Sequence, residues 1–131
     1  MSVNILIITH NLIGQELIAT ATSILGNNAL DIHALSIPAN LEPEQIGSYA
    51  DTIRNSIVEL NSAQGVLILT DVYGATPNNL ARYFAAGLKA EVVSGINLPI
   101  LLRILNYNGQ KLDQLVTTAV EGAIKGIIRS Q

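Results

Sequence analysis

The chain alternates short uninterrupted apolar runs with longer stretches in which apolar residues recur every three or four positions. The short runs predict β-strands at residues 3–9, 31–37, 65–70 and 91–95. The first and third runs are apolar at consecutive positions, at residues 5–8 and 66–69, which is typical of strands that are buried on both faces of a parallel sheet. The stretches between the runs predict helices. The first has apolar residues at helical spacing, at Ile13, Leu17, Ala21, Ile24 and Leu25. The second has a predicted buried stripe of Ile46, Ala50, Ile53, Ile57 and Leu60, and the third has Leu80, Phe84 and Leu88 facing inward. A short helix is predicted at residues 98–106 and another at residues 112–123, on Leu112, Leu115, Val116, Ala119, Val120 and Ala123.

Glycine, proline and threonine mark the predicted helix ends. Residues 26–28, Gly-Asn-Asn, are a plausible C-cap, and Pro43 suits the first turn of the second helix. Thr76 followed by Pro77 predicts an N-cap and a proline at the first helical position. The tail, residues 125–129, either extends the last helix or forms one more strand.

Strand-helix alternation with short connections predicts an α/β fold: a single three-layer domain, residues 1–131, with helices on both faces of the sheet. The sheet is expected to be mainly parallel, with four strands and a possible C-terminal edge strand. Its carboxyl edge would collect the loops at residues 10–14, 38–40, 71–77 and 95–99. That edge is where open α/β sheets bind ligands and react.

Composition and charge disfavour several classes of function. The 131 residues are 49% hydrophobic and 13% charged, which suits one compact domain. The net charge of −3, without a Lys/Arg cluster, disfavours nucleic acid as a partner. With no cysteine and two histidines, neither a disulfide nor a metal site is expected. No basic segment precedes the first apolar run, and the run is too short to span a bilayer, so we expect a cytoplasmic protein.

His10 and Asp71 are the candidate reactive pair, because each follows a predicted strand and neighbouring parallel strands would bring them together. A carboxylate can fix the tautomer of an imidazole and leave the other ring nitrogen as a nucleophile. Helix N-termini at the same edge would stabilise transferred negative charge. Each residue also has an ordinary interpretation. His10 could be a loop residue whose ring is hydrogen-bonded to the backbone, and Asp71 could cap the turn before Thr76.

Three further polar residues have simple structural interpretations. His33 lies within a predicted strand and is expected to be structural or solvent-facing. Asn78 and Asn79 fall in the first turn of a helix, where we expect both to be solvated, with Asn79 able to reach the preceding loop.

Three motifs together resemble a known family. They are Thr9-His10 with Gly14 shortly after, the segment Thr-Asp-Val-Tyr-Gly-Ala-Thr-Pro-Asn-Asn at residues 70–79, and Gly-Ile-Asn-Leu-Pro at residues 95–99. Their order and spacing are similar to the IIA domain of the mannose family of the bacterial phosphoenolpyruvate-dependent sugar phosphotransferase system (PTS). The segment at residues 70–79 is the specific part, and the resemblance covers essentially the whole chain.

The resemblance implies roles for these residues. His10 would accept a phosphoryl group from the carrier HPr and pass it to a IIB component or use it as a regulatory signal. Asp71 would hydrogen-bond Nδ1 of that histidine and leave Nε2 to be phosphorylated, with no cofactor or metal involved. Thr9, Gly74, Thr76 and Asn97 are assigned to support of the phosphate and its loops. Family dimers exchange a C-terminal strand, which implies a homodimer.

Two positions depart from the family pattern. Asn11 stands where the family has glycine, which would narrow the site or alter partner docking, and Gly74-Ala75 replaces a pair of glycines. The chain has no IIB segment, so we expect a free-standing IIA protein that serves a sugar permease or a regulatory phosphorelay. Membrane association would then be peripheral, through a permease only.

Other functions are less favoured by the motifs. A nucleotide or flavin module would have a G-x-G-x-x-G or P-loop sequence after the first strand, and none is present. The alternatives that stay open are the phosphocarrier subunit of a dihydroxyacetone-kinase-type system and a non-catalytic module that senses HPr.

Overall fold

The computed structural model describes residues 2–26, 32–107 and 109–131. Strands and helices alternate along these ranges, and a short 3-10 turn at Pro43–Gln45 precedes the second helix. The strands are β1 (Asn4–His10), β2 (Ile32–Ile37), β3 (Val66–Thr70) and β4 (Ala90–Ser94). The helices are α1 (Ile13–Leu25), α2 (Ile46–Leu60), α3 (Thr76–Ala85), α4 (Leu98–Ile104) and α5 (Leu112–Lys125).

The four strands form one parallel sheet in the order β2-β1-β3-β4. The chain moves outward from β1 to β2 and then returns across β1 to β3. The carboxyl ends of β1 and β3 therefore flank the point at which the strand order reverses, which is the usual ligand crevice of such sheets. This confirms the predicted fold class and places the ends of the first and third strands side by side.

Two apolar layers cover the sheet, one on each face. Ile5 and Ile7 of β1 pack in a layer with buried residues of α1, α4 and α5. Leu6 and Ile8 point to the opposite face and pack in a layer with buried residues of α2 and α3. Because alternate residues of a strand face opposite sides, a strand buried on both faces needs an uninterrupted apolar run.

The third helix differs from its prediction at both ends. Its first residue is Thr76 itself and its N-cap is Ala75, so Pro77 is the second helical residue and Thr76 is not the cap. The helix ends at Ala85, and Ala86 already has an extended ψ of 132°. Leu88 therefore lies beyond the helix and is 37% exposed, so the prediction that it points into the core is wrong.

The other boundaries lie close to their predictions. Gly26 is the C-cap of α1, with a φ of +69° and its N–H bonded to the Thr22 carbonyl oxygen, while the rest of that predicted cap lies outside the described residues. Asp31, expected to open the second strand, lies outside them as well. Helix α4 ends at Ile104, two residues before the predicted end.

The tail beyond α5 forms neither of the predicted extensions within the single chain. Helix α5 ends at Lys125, and residues 127–131 belong to no helix or strand. Ile127 and Ile128 are consequently 77% and 76% exposed.

Replacement of Gly14 by alanine tests how closely α1 approaches the sheet. A Cβ atom at Gly14 would lie 2.8 Å from Cγ2 of Ile7, a fully buried core residue. We expect Gly14→Ala to lower the free energy of unfolding by about 1–3 kcal/mol, as overpacking does. Gly47→Ala in α2 is the matched control, because nothing lies within 4 Å of its added Cβ. There alanine is expected to raise stability by about 0.5–1 kcal/mol. Urea denaturation of both variants measures the difference, and equal shifts would contradict the close packing of α1.

Candidate functional site

The structure brings His10 and Asp71 together at the carboxyl edge of the sheet. His10 is the last residue of β1, and Asp71 directly follows β3. The ring Nδ1 of His10 lies 2.8 Å from Oδ2 of Asp71, and the backbone N–H of His10 donates to the same oxygen at 2.9 Å. The other carboxylate oxygen, Oδ1, accepts the backbone N–H of Val72 at 3.0 Å. Both oxygens are therefore engaged, and the carboxylate has a fixed orientation toward His10.

The protonation state of the pair follows from these contacts. Burial by itself would raise the pKa of Asp71, but hydrogen bonds from the backbone and ring of His10, and the attraction of that ring, outweigh burial and lower the pKa below its ordinary value of 3.8. Asp71 is thus ionised near neutral pH and accepts hydrogen bonds only. In the neutral ring the proton must then sit on Nδ1, and the lone pair must sit on Nε2.

The second ring nitrogen of His10 is accessible. The His10 side chain is 27% exposed, whereas that of Asp71 is 8% exposed. Within the described ranges Nε2 has no hydrogen-bond partner, and it is not among the buried polar atoms that lack one. The arrangement is therefore a nucleophilic nitrogen that points out of the protein, oriented from behind by a buried carboxylate.

Thr9 shapes the backbone next to His10. Its side chain is fully buried, and its Oγ1 accepts the N–H of Gly14 in the first turn of α1 at 3.0 Å. Leu12 is the N-cap residue of α1, but its side chain cannot accept a hydrogen bond from the helix. The Thr9 hydroxyl on the preceding strand takes over this capping role. The Thr9-His10 pair and Gly14 thus belong to one unit, in which threonine and glycine fix the position of α1.

The backbone conformation of Asn11 explains why the family pattern has glycine directly after the histidine. Its φ is +51°, in the left-handed region that glycine adopts freely and asparagine tolerates. Its N–H donates to the carbonyl oxygen of Ile37 at 2.8 Å, and its Oδ1 accepts the N–H of Ala39 at 3.3 Å. The side chain thus joins the His10 loop to the loop after β2. An effect of Asn11 on partner docking stays a prediction.

Gly74 and two asparagines define the loop between Asp71 and α3. Gly74 has a φ of +88°. Its N–H donates to Oδ1 of Asn78 at 3.1 Å, and its carbonyl oxygen accepts Nδ2 of Asn79 at 2.8 Å. Asn79 thus reaches the loop, as anticipated. The prediction that Asn78 is solvated is wrong, because it is 1% exposed and its Nδ2 donates to Oγ1 of Thr70 at 3.0 Å.

The burial of Asn78 has a signal in the sequence. Asn78, Ala81 and Ala85 are spaced three and four residues apart, and all three are buried. They form the inner stripe of α3. The predicted stripe of Leu80 and Phe84 lies beside it and is only partly buried. The polarity of Asn78 predicts exposure to solvent, whereas its spacing from Ala81 and Ala85 predicts burial.

Two other assigned residues lie at the same edge without touching the pair. Thr76 is the partly buried first residue of α3. Asn97 caps α4, with its Oδ1 accepting the N–H of Ile100 at 3.0 Å, and its Nδ2 donates to the Ala123 carbonyl oxygen at 3.4 Å. Support of a phosphate by Thr76 or Asn97 therefore stays a prediction. His33 is exposed on β2, as expected.

The edge is also electrostatically polarised. Helices α1, α3 and α4 each begin where a strand ends, so their N-terminal dipole ends lie at the edge that carries His10. In the ranges that the structure covers, no group of three or more histidine, cysteine, aspartate or glutamate side chains is placed to hold a metal ion. The edge is suited to an anion held on or near the imidazole.

With this geometry established, comparison with known proteins defines the class. A family model described as the PTS system fructose IIA component (EIIA-man) matches residues 4–120. The match covers most of the chain, and the chain belongs to this family of PTS IIA proteins of the mannose type.

Individual relatives agree with this assignment. The chain is 28% identical to a PTS mannose-specific EIIAB component of Escherichia coli over 130 residues, which is 97% of this chain and 39% of that protein. The chain therefore spans well under half the length of this relative. It is 34% identical to a PTS sorbose-specific EIIA component of Lacticaseibacillus casei over 83 residues, 61% of this chain and 59% of that one.

Solved structures share the fold. A mannose/sorbose-specific IIA subunit from Enterococcus faecalis superposes with a TM-score of 0.82 at 20% identity, over 100% of this chain and 96% of that one. A PTS IIA protein associated with a fucose utilization operon of Streptococcus pneumoniae gives 0.80 at 24% identity, over 98% and 96%. Family membership supports a phosphocarrier role in a sugar PTS. Within residues 2–26, 32–107 and 109–131, no helix has both the length and the apolar character needed to cross a bilayer.

The lowered pKa of Asp71 makes a prediction about acid stability. A carboxyl group with a lower pKa in the folded chain stabilises that chain fully above its unfolded pKa, and the contribution is lost as the pH falls through the folded value. The contribution of the Asp71 carboxylate to the stability advantage of the wild type over Asp71→Asn should therefore shrink as the pH falls below about 4. Urea denaturation between pH 7 and pH 2.5 measures it. Asp51→Asn, at an exposed carboxylate, is the control. An advantage that does not shrink between pH 4 and pH 2.5 would contradict the lowered pKa of Asp71.

Proposed function

We propose that this chain is a phosphohistidine carrier of a sugar PTS that takes a phosphoryl group from HPr onto Nε2 of His10. It then passes the group to a IIB component or uses it as a regulatory signal. The observation that carries the proposal is the 2.8 Å contact between Asp71 and Nδ1 of His10, with Nε2 left accessible. Family membership supports the same conclusion.

The transfer step follows from the pair. The Nε2 lone pair attacks the phosphorus atom of the donor's phosphohistidine, the N–P bond to the donor breaks, and its electron pair returns to the donor ring. The proton on Nδ1 of His10 stays in place, so the phosphorylated ring carries an imidazolium-like positive charge. Asp71 stabilises this charge because it is ionised and already aligned with Nδ1. The return transfer uses the same contacts in reverse.

The charge on the phosphoryl group is balanced by the surrounding edge. The N-terminal dipole ends of α1 and α3 lie beside His10 and Asp71 respectively. The Thr76 hydroxyl at the first residue of α3 is the proposed support for phosphoryl oxygens, whereas Gly74 supports the loop conformation, since its N–H is bonded to Asn78. Thr9 acts indirectly, since its hydroxyl is occupied by Gly14.

The surface around His10 suits a protein partner. Leu12, Ile13, Val72 and Tyr73 are exposed large apolar residues that flank the pair in the sequence. An apolar surface next to a reactive atom is typical of a docking site. A donor or acceptor protein must cover these residues to bring its own histidine to Nε2, and we propose that HPr and the acceptor do so in turn.

Phosphorylation assigns the acceptor directly. Incubation with phosphoenolpyruvate, enzyme I and HPr should label the chain with a phosphate that is stable in base and lost in acid. His10→Ala should abolish the label, because the second histidine of the sequence, His33, has no carboxylate paired with its ring in the described ranges. His33→Ala, at the exposed second histidine, should leave the label unchanged. Labelling that survives loss of His10 would contradict the proposal, and loss in both variants would indicate a folding defect to be excluded by circular dichroism.

We further propose that the tail mediates a homodimer. Ile127 and Ile128 are largely exposed in the single chain, and burial of such a side chain is worth roughly 1.5–3 kcal/mol. The outer edges of β2 and β4 have no strand partner in the described part of the chain. A tail that adds to a partner's sheet edge would bury both isoleucines and cover an open edge.

Sedimentation velocity tests the dimer. The intact chain should sediment as a dimer at micromolar concentration, and a chain truncated after Gly126 should sediment as a monomer. This truncation keeps the whole of α5, so a change in assembly cannot come from a shortened helix. Arg129→Ala, which keeps both isoleucines, is the control and should remain dimeric. A monomeric intact chain, or a dimer that survives truncation, would rule out the tail as the basis of assembly.

A further inference from the structure

The loop that carries Asp71 has few contacts of its own. Residues 72–74 are exposed. Within the loop, the N–H of Val72 donates to Oδ1 of Asp71 at 3.0 Å, and the N–H of Ala75 donates to the carbonyl oxygen of Val72 at 3.4 Å. Tyr73 is held by Arg82 at 3.2 Å on the outer surface. The bond from Asp71 to His10 nevertheless requires the chain to have a fixed orientation where it leaves β3. We therefore expect contacts from outside the loop to fix this orientation.

The Asn78 side chain, on α3, is hydrogen-bonded to both ends of the loop, at Thr70 and at Gly74. Its Nδ2 donates to Thr70 directly before Asp71, at 3.0 Å, and its Oδ1 accepts the N–H of Gly74 at 3.1 Å. The amide orientation follows from the chemistry, because only the oxygen can accept an N–H. Gly74 adopts a φ of +88°, which turns its N–H toward α3. One side chain thus ties the last residue of β3 to the far end of the loop.

The burial of this amide argues for a positioning role. Asn78 is 1% exposed and lies on the inner stripe of α3 with Ala81 and Ala85, where an apolar residue would pack without cost. A buried amide must have its hydrogen bonds satisfied, and here both partners belong to the segment around Asp71. Asn79 is the contrasting neighbour, since it also binds Gly74 but is exposed.

We propose that Asn78 is a positioning residue for phosphoryl transfer. It holds the loop at residues 71–75 between Thr70 and Gly74, so that the Asp71 carboxylate stays aligned with Nδ1 of His10. Asn78 does not touch the reacting atoms. It acts through Asp71, by maintaining the tautomer in which Nε2 carries the lone pair. The proposal rests on the proposed function of His10 for its kinetic consequence, but its effect on the tautomer does not.

The test compares Asn78→Leu, which removes both bonds at similar volume, with Thr70→Val, which removes only the hydroxyl partner. The ring ¹⁵N chemical shifts of His10 in the unphosphorylated protein report the fraction of the Nδ1–H tautomer. Both variants should reduce this fraction relative to the wild type. The rate of transfer from phosphorylated HPr should fall about ten- to hundredfold in kcat for Asn78→Leu. KM should change little, because the exposed surface that meets HPr is retained.

Two control variants separate positioning from stability. Thr118→Val removes a partly buried hydrogen bond, the 2.6 Å contact of the buried Thr118 hydroxyl with Gln110, in α5 away from the pair. It should lower stability without changing the tautomer or kcat. Asn79→Ala removes the exposed contact with Gly74 and should have a much smaller effect than Asn78→Leu. The losses in kcat of Thr70→Val and Asn78→Leu should also be less than additive in the double variant, because each substitution removes the bond between Thr70 and Asn78.

Clear results would overturn the proposal. Folded Asn78→Leu or Thr70→Val with the wild-type tautomer fraction and wild-type kcat would show that Asn78 serves stability alone. Equal loss of kcat in Thr118→Val would show the same. If Asn78→Leu does not fold, Thr70→Val carries the test alone. A shifted tautomer in a protein that HPr does not phosphorylate would instead support the positioning role and contradict the proposed function.

Discussion

The hydrogen bond between Asp71 and His10 is the interaction on which the site depends. It joins the ends of two neighbouring parallel strands, so it exists only because β3 returns to lie beside β1. The same bond has two chemical effects. It holds the proton on Nδ1, and in the proposed transfer it keeps a negative charge aligned with the ring when Nε2 forms a new bond. The topology of the sheet thus determines which ring nitrogen carries the lone pair in the neutral ring.

The residues around the pair act mainly on the backbone. Thr9 and Asn78 are buried polar residues whose hydrogen bonds fix the start of α1 and the loop before α3. Asn11 and Gly74 supply the left-handed conformations that let the chain turn sharply at the two strand ends. A family motif that looks like a set of phosphate ligands is therefore, in large part, a set of conformational constraints.

The fold and the central pair were predictable from the sequence for a simple reason. Strands buried on both faces produce uninterrupted apolar runs, and polar residues that end such runs must lie at the sheet edge. The failures have equally specific causes. Leu88 continued the helical spacing, but the chain leaves the helix at Ala86, before the turn at Gly87 with its φ of +81°. The polarity of Asn78 predicts a solvated side chain, whereas its hydrogen bonds to Thr70 and Gly74 allow burial. Both partners lie within eight residues of Asn78, but they belong to the strand end and the loop, so the spacing of residues within α3 does not reveal them.

The nitrogen that carries the phosphoryl group is the most direct test of this account. A ¹⁵N spectrum of histidine-labelled protein, recorded after phosphorylation by phosphoenolpyruvate, enzyme I and HPr, distinguishes the two ring nitrogens of His10. The account predicts a phosphorus atom on Nε2 and a proton retained on Nδ1 beside Asp71. A phosphoryl group on Nδ1 of His10, or on His33, would contradict it.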